Sequence, residues 1–545
     1  MRPSRRALVR AALAFLATVA LLTAGAGAAS AHAYLQSSTP APGSVLKVSP
    51  PLLTLHFSEP VGTALSSISV LDAAGREAAT GSPLQPFNVA TDLAVQLRPT
   101  LPDGSYLVVW RVVSDDSHPT AGSYSFSVGK AGAVASATAP TPDSRVGAVL
   151  GFGRLLGFVG VAAFFGGVMF LLLCWPAGRS SKVSRRTLQV GWLLAFAGAV
   201  GSLLLEGPYG AGLSIAHTFD WSLAQGVAQT PYGQALLARV VLLAAAAAAG
   251  WWVVGKPGRW SSLAFLALML ATLVTFPYTG HPSVGSQVPL AVVSDVAHLA
   301  AMSVWFGGLL QLSVVVLPDE DNATVRAAAT RFSRAAMASV VVLVVSGVYQ
   351  AWREAGIAAS LTSTRYGQLL LVKTALVVAV LLVAGVSRRW VSRAALSDEA
   401  PTSRRLGLSV SIETAMVVVV LAVTSLLVSG IPSRTDFRPS SDVRLVAGPV
   451  HLELSVNPSA TRVLDVRVDT TDAAGKPMDV AEMTLTLQLG APAAGPLNVR
   501  LAPVGAAQFQ ARDVELPYTG PWAFTLVART SDTQEYTGGT SVDVR

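Results

Sequence analysis

Two hydrophobic periods divide this chain of 545 residues. Within residues 32–130 the pattern alternates. Leu53, Leu55 and Phe57 point one way, while Thr54, His56 and Ser58 point the other. The same period-two pattern returns at Tyr106, Val108, Trp110 and Val112, and again at Tyr124, Phe126 and Val128. Such runs, bounded by Pro-Pro, Pro-Asp-Gly and Ala-Gly turns, predict the short strands of a small β-sandwich. From about residue 147 the alternation gives way to long apolar runs. These predict helices near 147–174, 188–206, 233–254, 260–277, 289–317, 332–353, 366–387 and 408–429. Several exceed the roughly 20 residues that cross a bilayer, so tilt or overhang is expected. Alternation resumes at Leu452, Leu454 and Val456 and at Leu464, Val466 and Val468. With the turn Ala473-Ala474-Gly475-Lys476-Pro477 and the run Gly520-Pro521-Trp522-Ala523-Phe524, the tail reads as a second small sandwich. The expected fold class is therefore a multidomain membrane protein, a β-sandwich and a second β-sandwich flanking an eight-helix transmembrane bundle.

Composition agrees with the pattern. The chain is 52% hydrophobic and 13% charged, with a mean hydropathy of +0.52. A soluble chain carries roughly 25% charged residues. Residues 1–31 combine a basic start, the run AALAFLATVALLTAG and Ala29-Ser30-Ala31, the pattern of a secretory signal with an A-x-A cleavage site. Cutting there makes His32 the new N-terminus. Half of the net charge of +8 lies in Arg2, Arg5, Arg6 and Arg10 of that segment, and most of the rest falls in short loops between apolar runs. The charge reports topology, and nucleic acid is not implied. If residues 32–146 are exported, the inner loops carry Arg179, Lys182, Arg185, Arg186, Lys256, Arg259, Arg326, Arg331, Arg334, Arg388, Arg389, Arg393, Arg404 and Arg405. The outer loops carry Arg353 and Arg365, so the bias is fourteen against two. The expected place is the cell membrane, crossed eight times, with both terminal domains outside. Cys174 is the only cysteine, which excludes an intramolecular disulfide and suits a small packing residue.

The membrane segment repeats itself. Phe164-Phe165-Gly166-Gly167 in the first span matches Trp305-Phe306-Gly307-Gly308 in the fifth. Thr230-Pro231-Tyr232-Gly233-Gln234 with Arg239 matches Thr364-Arg365-Tyr366-Gly367-Gln368 with Lys373. An even number of helices separates the copies, so the halves point the same way, a parallel internal repeat about an axis along the membrane normal. Glycine pairs in apolar helices let neighbouring backbones approach closely, and that structural role is expected of both copies.

The first β domain holds three of the seven histidines, His32, His56 and His118. His32, once uncovered, offers a terminal amine and an imidazole that can chelate one metal ion. Asp116 and His118 lie two apart, so extended backbone turns both to one side. Nitrogen and carboxylate donors suit Cu(II), and residues 32–130 contain no Met or Cys for a soft Cu(I) site. Against this, a turn Asp often bonds its own backbone. His56 on the polar face of a strand is expected to be solvent-exposed, and Glu59 reads equally as an ordinary strand-end acid. Three blocks change the balance: His32-Ala33-Tyr34-Leu35 through Ser37-Ser38-Thr39-Pro40-Ala41-Pro42-Gly43; Leu55-His56-Phe57-Ser58-Glu59-Pro60-Val61; and Trp110 through Pro119 with Asp116-Ser117-His118-Pro119. In this order they resemble the CopC family of periplasmic copper-binding proteins. The resemblance implies Cu(II) ligands at His32, Asp116 and His118, with Glu59 more peripheral. Asp115 has no counterpart role.

Ionisable residues inside a membrane are costly and so are functional candidates. Asp295, His298, Met302 and Trp305 share one helical face of the fifth span. That stripe could pass copper along, or its polar members could hydrogen-bond a neighbouring helix while Met302 fills space. His217 and His281, in outer loops, are further candidates on such a path. Arg239 and Lys373 are expected to pair with acids such as Glu413 or to reach backbone carbonyls. Gly280-His281-Pro282, Asp295-x-x-His298 with Trp305-Phe306-Gly307-Gly308-Leu309, Arg331-Phe332-Ser333-Arg334 and Tyr366-Gly367-Gln368 with Lys373 resemble the CopD family, associated with copper uptake across the inner membrane. The tail resembles the YtkA-like domain; its His451 begins a strand, and Met478 and Met483 are weak candidates for a second copper contact. The divisions are thus signal 1–31, CopC-like 32–130, linker 131–146, CopD-like 147–430 and YtkA-like 431–545.

The expected function is copper binding outside the membrane and copper transport across it, read as import, in homeostasis or resistance. It is not an enzyme on this reading. Its partners are the copper ion, bound as Cu(II), the lipid bilayer, and an extracytoplasmic copper chaperone or reductase. The competing classes are a copper oxidoreductase using the N-terminal histidine, which the carboxylate in the ligand set disfavours, and a membrane haem carrier. Bis-histidine haem needs two suitably placed intramembrane histidines, and the spans offer His298.

Overall fold

The computed structural model describes residues 33–114, 119–133, 144–284, 287–356, 358–394, 403–437, 440–460, 463–490, 494–531 and 533–544. Contacts divide it into two compact units, one of the helices of Pro142–Thr435 and one of the strands of both β domains.

In the first β domain the strands are β1 (Leu35–Thr39), β2 (Val45–Leu46), β3 (Leu52–Phe57), β4 (Val61–Leu71), β5 (Ala79–Leu84), β6 (Asp92–Leu97), β7 (Gly104–Ser114) and β8 (Pro119–Val128). They form two four-stranded sheets, ordered β1-β3-β6-β5 and β2-β8-β7-β4. Leu53, Leu55 and Phe57 are fully buried while Thr54 and His56 are partly exposed, as alternation requires of a sandwich strand. Phe57 meets Trp110 edge to face at 5.3 Å across the core, and Tyr106 stacks on Phe126 at 5.6 Å. On β7 both faces are buried, Arg111 included, so alternation alone understated how enclosed this strand is.

The second β domain runs through β9 (Ser441–Ala447), β10 (Val450–Ala460), β11 (Val463–Thr471), β12 (Glu482–Leu489), β13 (Ala494–Gly505), β14 (Gln508–Glu515), β15 (Gly520–Ser531) and β16 (Gln534–Val544). These make one sheet ordered β16-β15-β12-β13-β14-β11-β10-β9, whose two edges come together so that it nearly closes. Met483, Tyr518, Trp522 and Phe524 are fully buried inside it. Met483 is thus a core residue and offers no surface copper contact.

Among the described residues, eight helices are long and apolar enough to cross a membrane: α1 (Ser144–Leu173), α2 (Lys182–Ala211), α3 (Pro231–Gly255), α4 (Arg259–Thr279), α5 (Val288–Val316), α6 (Asn322–Ala355), α7 (Arg365–Arg389) and α8 (Gly407–Val428). Hydropathy located all eight but shortened α2 and α6, because polar first turns extend them. The Ser181 side chain caps α2 by accepting from Ser184 N, and Asp321 caps α6 by accepting from Ala323 N and Thr324 N.

Both repeated motifs turn out to be architectural. Gly166 of α1 and Gly307 of α5 face each other so closely that a Cβ at Gly166 would stand 1.7 Å from the Ser303 carbonyl oxygen. One at Gly307 would stand 2.5 Å from that of Ala162. The first copy of the motif is therefore packed on the second at the centre of the bundle. The Thr-x-Tyr-Gly-Gln copies open α3 and α7. Thr230 Oγ1 accepts from Gly233 N at 3.0 Å, and Thr364 Oγ1 accepts from Gly367 N at 3.0 Å. A short helix precedes each, Trp221–Gln229 and Ala358–Ser363, and its backbone leaves no room for a Cβ at Gly233 or Gly367.

Candidate metal centres

Register brings three separate stretches of the first β domain to one end. Tyr34 N donates to Ser58 Oγ at 3.1 Å, and Ser58 N donates to the Tyr34 carbonyl at 3.0 Å. The turn Ser58-Glu59-Pro60 thus lies beside the chain just after residue 32. Val61, where that turn enters β4, pairs with Ser114 at the end of β7, and Pro119 at the start of β8 pairs with Val113. Ser114, just ahead of 115–118, therefore lies beside the Glu59 turn, and Pro119, just after them, lies on the far side of β7 in the same sheet. Glu59 itself is partly buried. His32, Asp116 and His118 lie outside the described residues.

His56 is exposed, at 42%, as its place on the polar face of β3 implies, and it also has a partner: its Nδ1 lies 2.5 Å from Asp92 Oδ1, across the β3–β6 register that sets His56 opposite Asp92. Thr91 Oγ1 donates to the same carboxylate oxygen at 3.3 Å. The pair was invisible in the sequence because its members belong to strands whose pairing no local pattern specifies.

In the helical unit, Asp295 and His298 lie on α5 and bond α6. Gln350 Nε2 donates to Asp295 Oδ1 at 3.4 Å, and His298 Nδ1 lies 2.8 Å from Ser346 Oγ. Lys373 of α7 is within electrostatic range of both, and Glu354 of Asp295. Met302 is buried in the apolar core. The interhelical bonding foreseen for this stripe is thus what the structure holds. His217 is exposed in the turn Ile215–His217, while His281 is buried in the turn His281–Ser283 and its carbonyl accepts from Arg353 Nη1 at 3.1 Å. Among the described residues, no three His, Cys, Asp or Glu side chains gather closely enough to hold a metal ion. His217, His281, Asp295, His298 and Met302 are therefore not drawn into one site.

Set against known proteins, residues 35–129 match the CopC domain, residues 144–287 the N-terminal domain of copper resistance protein D-like proteins, and residues 326–427 copper resistance protein D. The chain is a CopC–CopD fusion. Copper transport protein CutJ of Bacillus subtilis is 28% identical over 484 residues, covering 84% of this chain and 85% of CutJ. Inner membrane protein YebZ of Escherichia coli K12 is 26% identical over 247 residues, 44% of this chain and 82% of YebZ. The crystal structure of CopC from Methylosinus trichosporium OB3b is 31% identical, covers 20% of this chain and 99% of that one, and gives a TM-score of 0.17.

In the CopD region Arg239 takes the second of its two expected roles, reaching a backbone carbonyl rather than Glu413. Its guanidinium donates to Thr275 Oγ1 at 2.9 Å, the Thr275 carbonyl at 2.8 Å and Thr279 Oγ1 at 2.7 Å, and it lies 3.7 Å over the Phe276 ring. Glu413 accepts from Ser387 Oγ instead. The last turn of α4, where the helix tightens at Pro277–Thr279, presents a carbonyl and two hydroxyls to the fork of the guanidinium.

Sequence reasoning missed a second polar cluster in the CopD region. Arg154 Nη1 donates to Ser429 Oγ at 2.8 Å and Nη2 to Tyr232 OH at 3.2 Å, with buried Glu206 in electrostatic range. A signal was present. Arg154 precedes Phe164 by ten residues, as Asp295 precedes Trp305, so the repeat already placed Arg154 where the other half has Asp295.

Proposed function

We propose that this protein binds Cu(II) outside the cell membrane with its CopC domain and passes copper inward through the CopD region, in copper homeostasis or resistance. The observation that carries this reading is the convergence of the Ser58–Pro60 turn with the chain after residue 32 and with Ser114, the residue ahead of 115–118. His32, Asp116, His118 and Glu59 belong to those stretches of sequence, and their amine, imidazole and carboxylate donors suit a cupric ion. CutJ, alike over most of both chains, is described as a copper transport protein, which supports transport as the activity. The excess of Arg and Lys in alternate loops supports placing both β domains outside.

On this reading the membrane leg runs from the outer histidines His217 and His281 along the α5 stripe of Asp295, His298 and Met302. Passage there requires His298 and Asp295 to exchange Ser346 and Gln350 for the ion. A chaperone delivering copper, or a reductase acting on it, is the extracytoplasmic partner this route calls for.

Cellular copper with and without the gene tests the direction. Deletion should lower cell copper when the metal is limiting, and unchanged or higher copper would refute import. Calorimetric Cu(II) titration of the full chain tests the site. A form that keeps residues ahead of His32 should bind at least tenfold more weakly, since it lacks a ligand and even outer partners cost 10–100-fold. Affinity should fall as pH drops through about 8 to 6.5, where the amine and the imidazoles take up protons.

A further inference from the structure

The second β domain has no part in the transport route, yet its fold places one side chain against the first strand of the CopC domain. Tyr518 lies in the loop between β14 and β15 and is fully buried. Trp522 Nε1 donates to its carbonyl at 3.0 Å and holds the loop to the sheet. Its phenol oxygen stands 2.8 Å from Ser38 Oγ on β1. Ser38 Oγ also donates to the Pro40 carbonyl at 2.8 Å, and Tyr124 OH of β8 donates to that same carbonyl at 3.1 Å.

A carbonyl only accepts, so the Pro40 carbonyl can take the hydroxyl protons of both Ser38 and Tyr124. With the Ser38 proton placed there, Tyr518 donates to Ser38. Burial pushes the Tyr124 phenol above its ordinary value, partly opposed by Ser38, so Tyr124 keeps its proton at any physiological pH. Hydrogen bonds running head to tail in a low-dielectric setting reinforce one another. The apolar cores of the two β domains belong to one contiguous cluster around this relay, and the two domains form one compact unit.

We propose that the second β domain is the intramolecular partner of the CopC domain, seated on the end of β1 through the Tyr518–Ser38–Pro40–Tyr124 relay, so that Cu(II) held by the CopC domain also stabilises the second domain. β1 is the strand that follows the N-terminal histidine, and whatever binds the folded state alone stabilises everything folded cooperatively with it. The coupling rests on the copper reading above, and its test separates the two.

Hydrogen exchange of the full chain in detergent, with and without Cu(II), is the measurement. Cu(II) should slow exchange in the CopC strands and also in residues 516–522. In Tyr518→Phe, which removes one hydroxyl and no bulk, the CopC strands should keep their response. Residues 516–522 should lose about fivefold of theirs, the worth of one buried hydrogen bond. Ser38→Ala, made from the other domain, should give the same loss, and the double variant should add nothing further. A Cu(II) response confined to the CopC strands of the unaltered chain would overturn the coupling and leave copper binding intact. So would a full response at 516–522 in both variants. No response to Cu(II) anywhere would overturn copper binding and the coupling with it.

Discussion

In the first half of the CopD region, α1 carries Arg154 and Gly157 ahead of its Phe-Phe-Gly-Gly motif; in the second, α5 carries Asp295 and His298 at the same places ahead of Trp-Phe-Gly-Gly. The surrounding frame is shared. Gly166 packs on Gly307, and a threonine caps α3 as another caps α7. The residue on the first helix of each half also reaches the third helix of that half: Arg154 donates to Tyr232, and Asp295 faces Lys373. The chemistry is opposite. A guanidinium has no lone pair to give a metal, whereas a carboxylate and an imidazole are ordinary ligands. The frame is common to both halves, and the Asp-x-x-His pair ahead of the glycine motif belongs to one.

The shared frame is where the largest effects are expected. A methyl at Gly166 or at Gly307 would run into backbone, Ser303 in one case and Ala162 in the other, and backbone cannot swing aside as a side chain does. Gly166→Ala and Gly307→Ala should each cost about 1–3 kcal/mol or more through overpacking. Because the two glycines face each other, the losses should be alike, read from unfolding in denaturing detergent. A large loss at one glycine and none at the other would break the parallel between the halves.

The difference in charge gives the next effect. Asp295→Asn and His298→Ala should each cut copper uptake at least tenfold, the scale on which altered metal sites lose function. His298→Ala removes one interhelical hydrogen bond worth only about 1 kcal/mol, and Asp295→Asn keeps an acceptor for Gln350, so the folded protein should persist. Arg154→Gln can still donate toward Ser429 or Tyr232 and should leave uptake per folded molecule unchanged. Radiolabelled copper entering cells, normalised to folded protein, decides the matter. Equal loss in Arg154→Gln and Asp295→Asn would mean that both halves carry the ion.

Much of this contrast could be read before any coordinates. The eight spans announce themselves because a bilayer demands long apolar runs, and the strands do so because one face of a sandwich is buried. The α1 and α5 glycines were recognised as close-packing residues. What could not be read was partnership between distant residues. His56 with Asp92 depends on which strand lies beside β3, and the fork of Arg239 depends on how the last turn of α4 tightens. Periodicity assigns a face but never names what lies opposite. The CopC blocks named His32, Asp116 and His118 from sequence alone, whereas the fold adds that Tyr34 and Ser114, close to them along the chain, lie beside the Glu59 turn.

Arg239 and Lys373 sharpen the comparison further, since they are equivalent in sequence and unlike in surroundings. Three hydrogen bonds to Thr275 and Thr279 use the planar fork of Arg239, and a lysine cannot reproduce them. Arg239→Lys should therefore cost about 1–2 kcal/mol although the charge is kept. Lys373 answers a carboxylate, so Lys373→Arg should be tolerated better than Lys373→Met, which leaves Asp295 without its counter-charge. Thermal unfolding of the four proteins in one detergent gives the ranking. Geometry rules the first site and charge the second.

The smallest expected effect belongs to the β unit, where a repeated frame again carries a different cation. Asp72-Ala73-Ala74-Gly75-Arg76 and Asp472-Ala473-Ala474-Gly475-Lys476 make the same turn. In each, the Asp Oδ1 accepts from the amides two and four residues on, and the glycine has positive φ, 75° in one and 79° in the other. In the first turn, Arg76 Nε adds a bond to Asp72 Oδ2 at 2.9 Å. The Asp72 carboxyl is held below its ordinary 3.8 chiefly by the backbone N–H of Arg76; desolvation, the next largest effect, opposes this, and the Arg76 side chain and the Ala74 N–H add to the lowering. A depressed folded value means that ionised Asp72 stabilises the turn above that ordinary value and ceases to as pH falls through the folded one. Amide exchange across 71–77, corrected for intrinsic rate, should thus quicken slightly in Asp72→Asn at neutral pH and match the unaltered chain in strong acid. Arg76→Lys makes the two turns alike from Asp to Lys. It should forfeit only the guanidinium's share, because the larger backbone contribution does not depend on the side chain. If Arg76→Lys instead cost as much as Asp72→Asn, the cation rather than the shared backbone frame would be holding the turn.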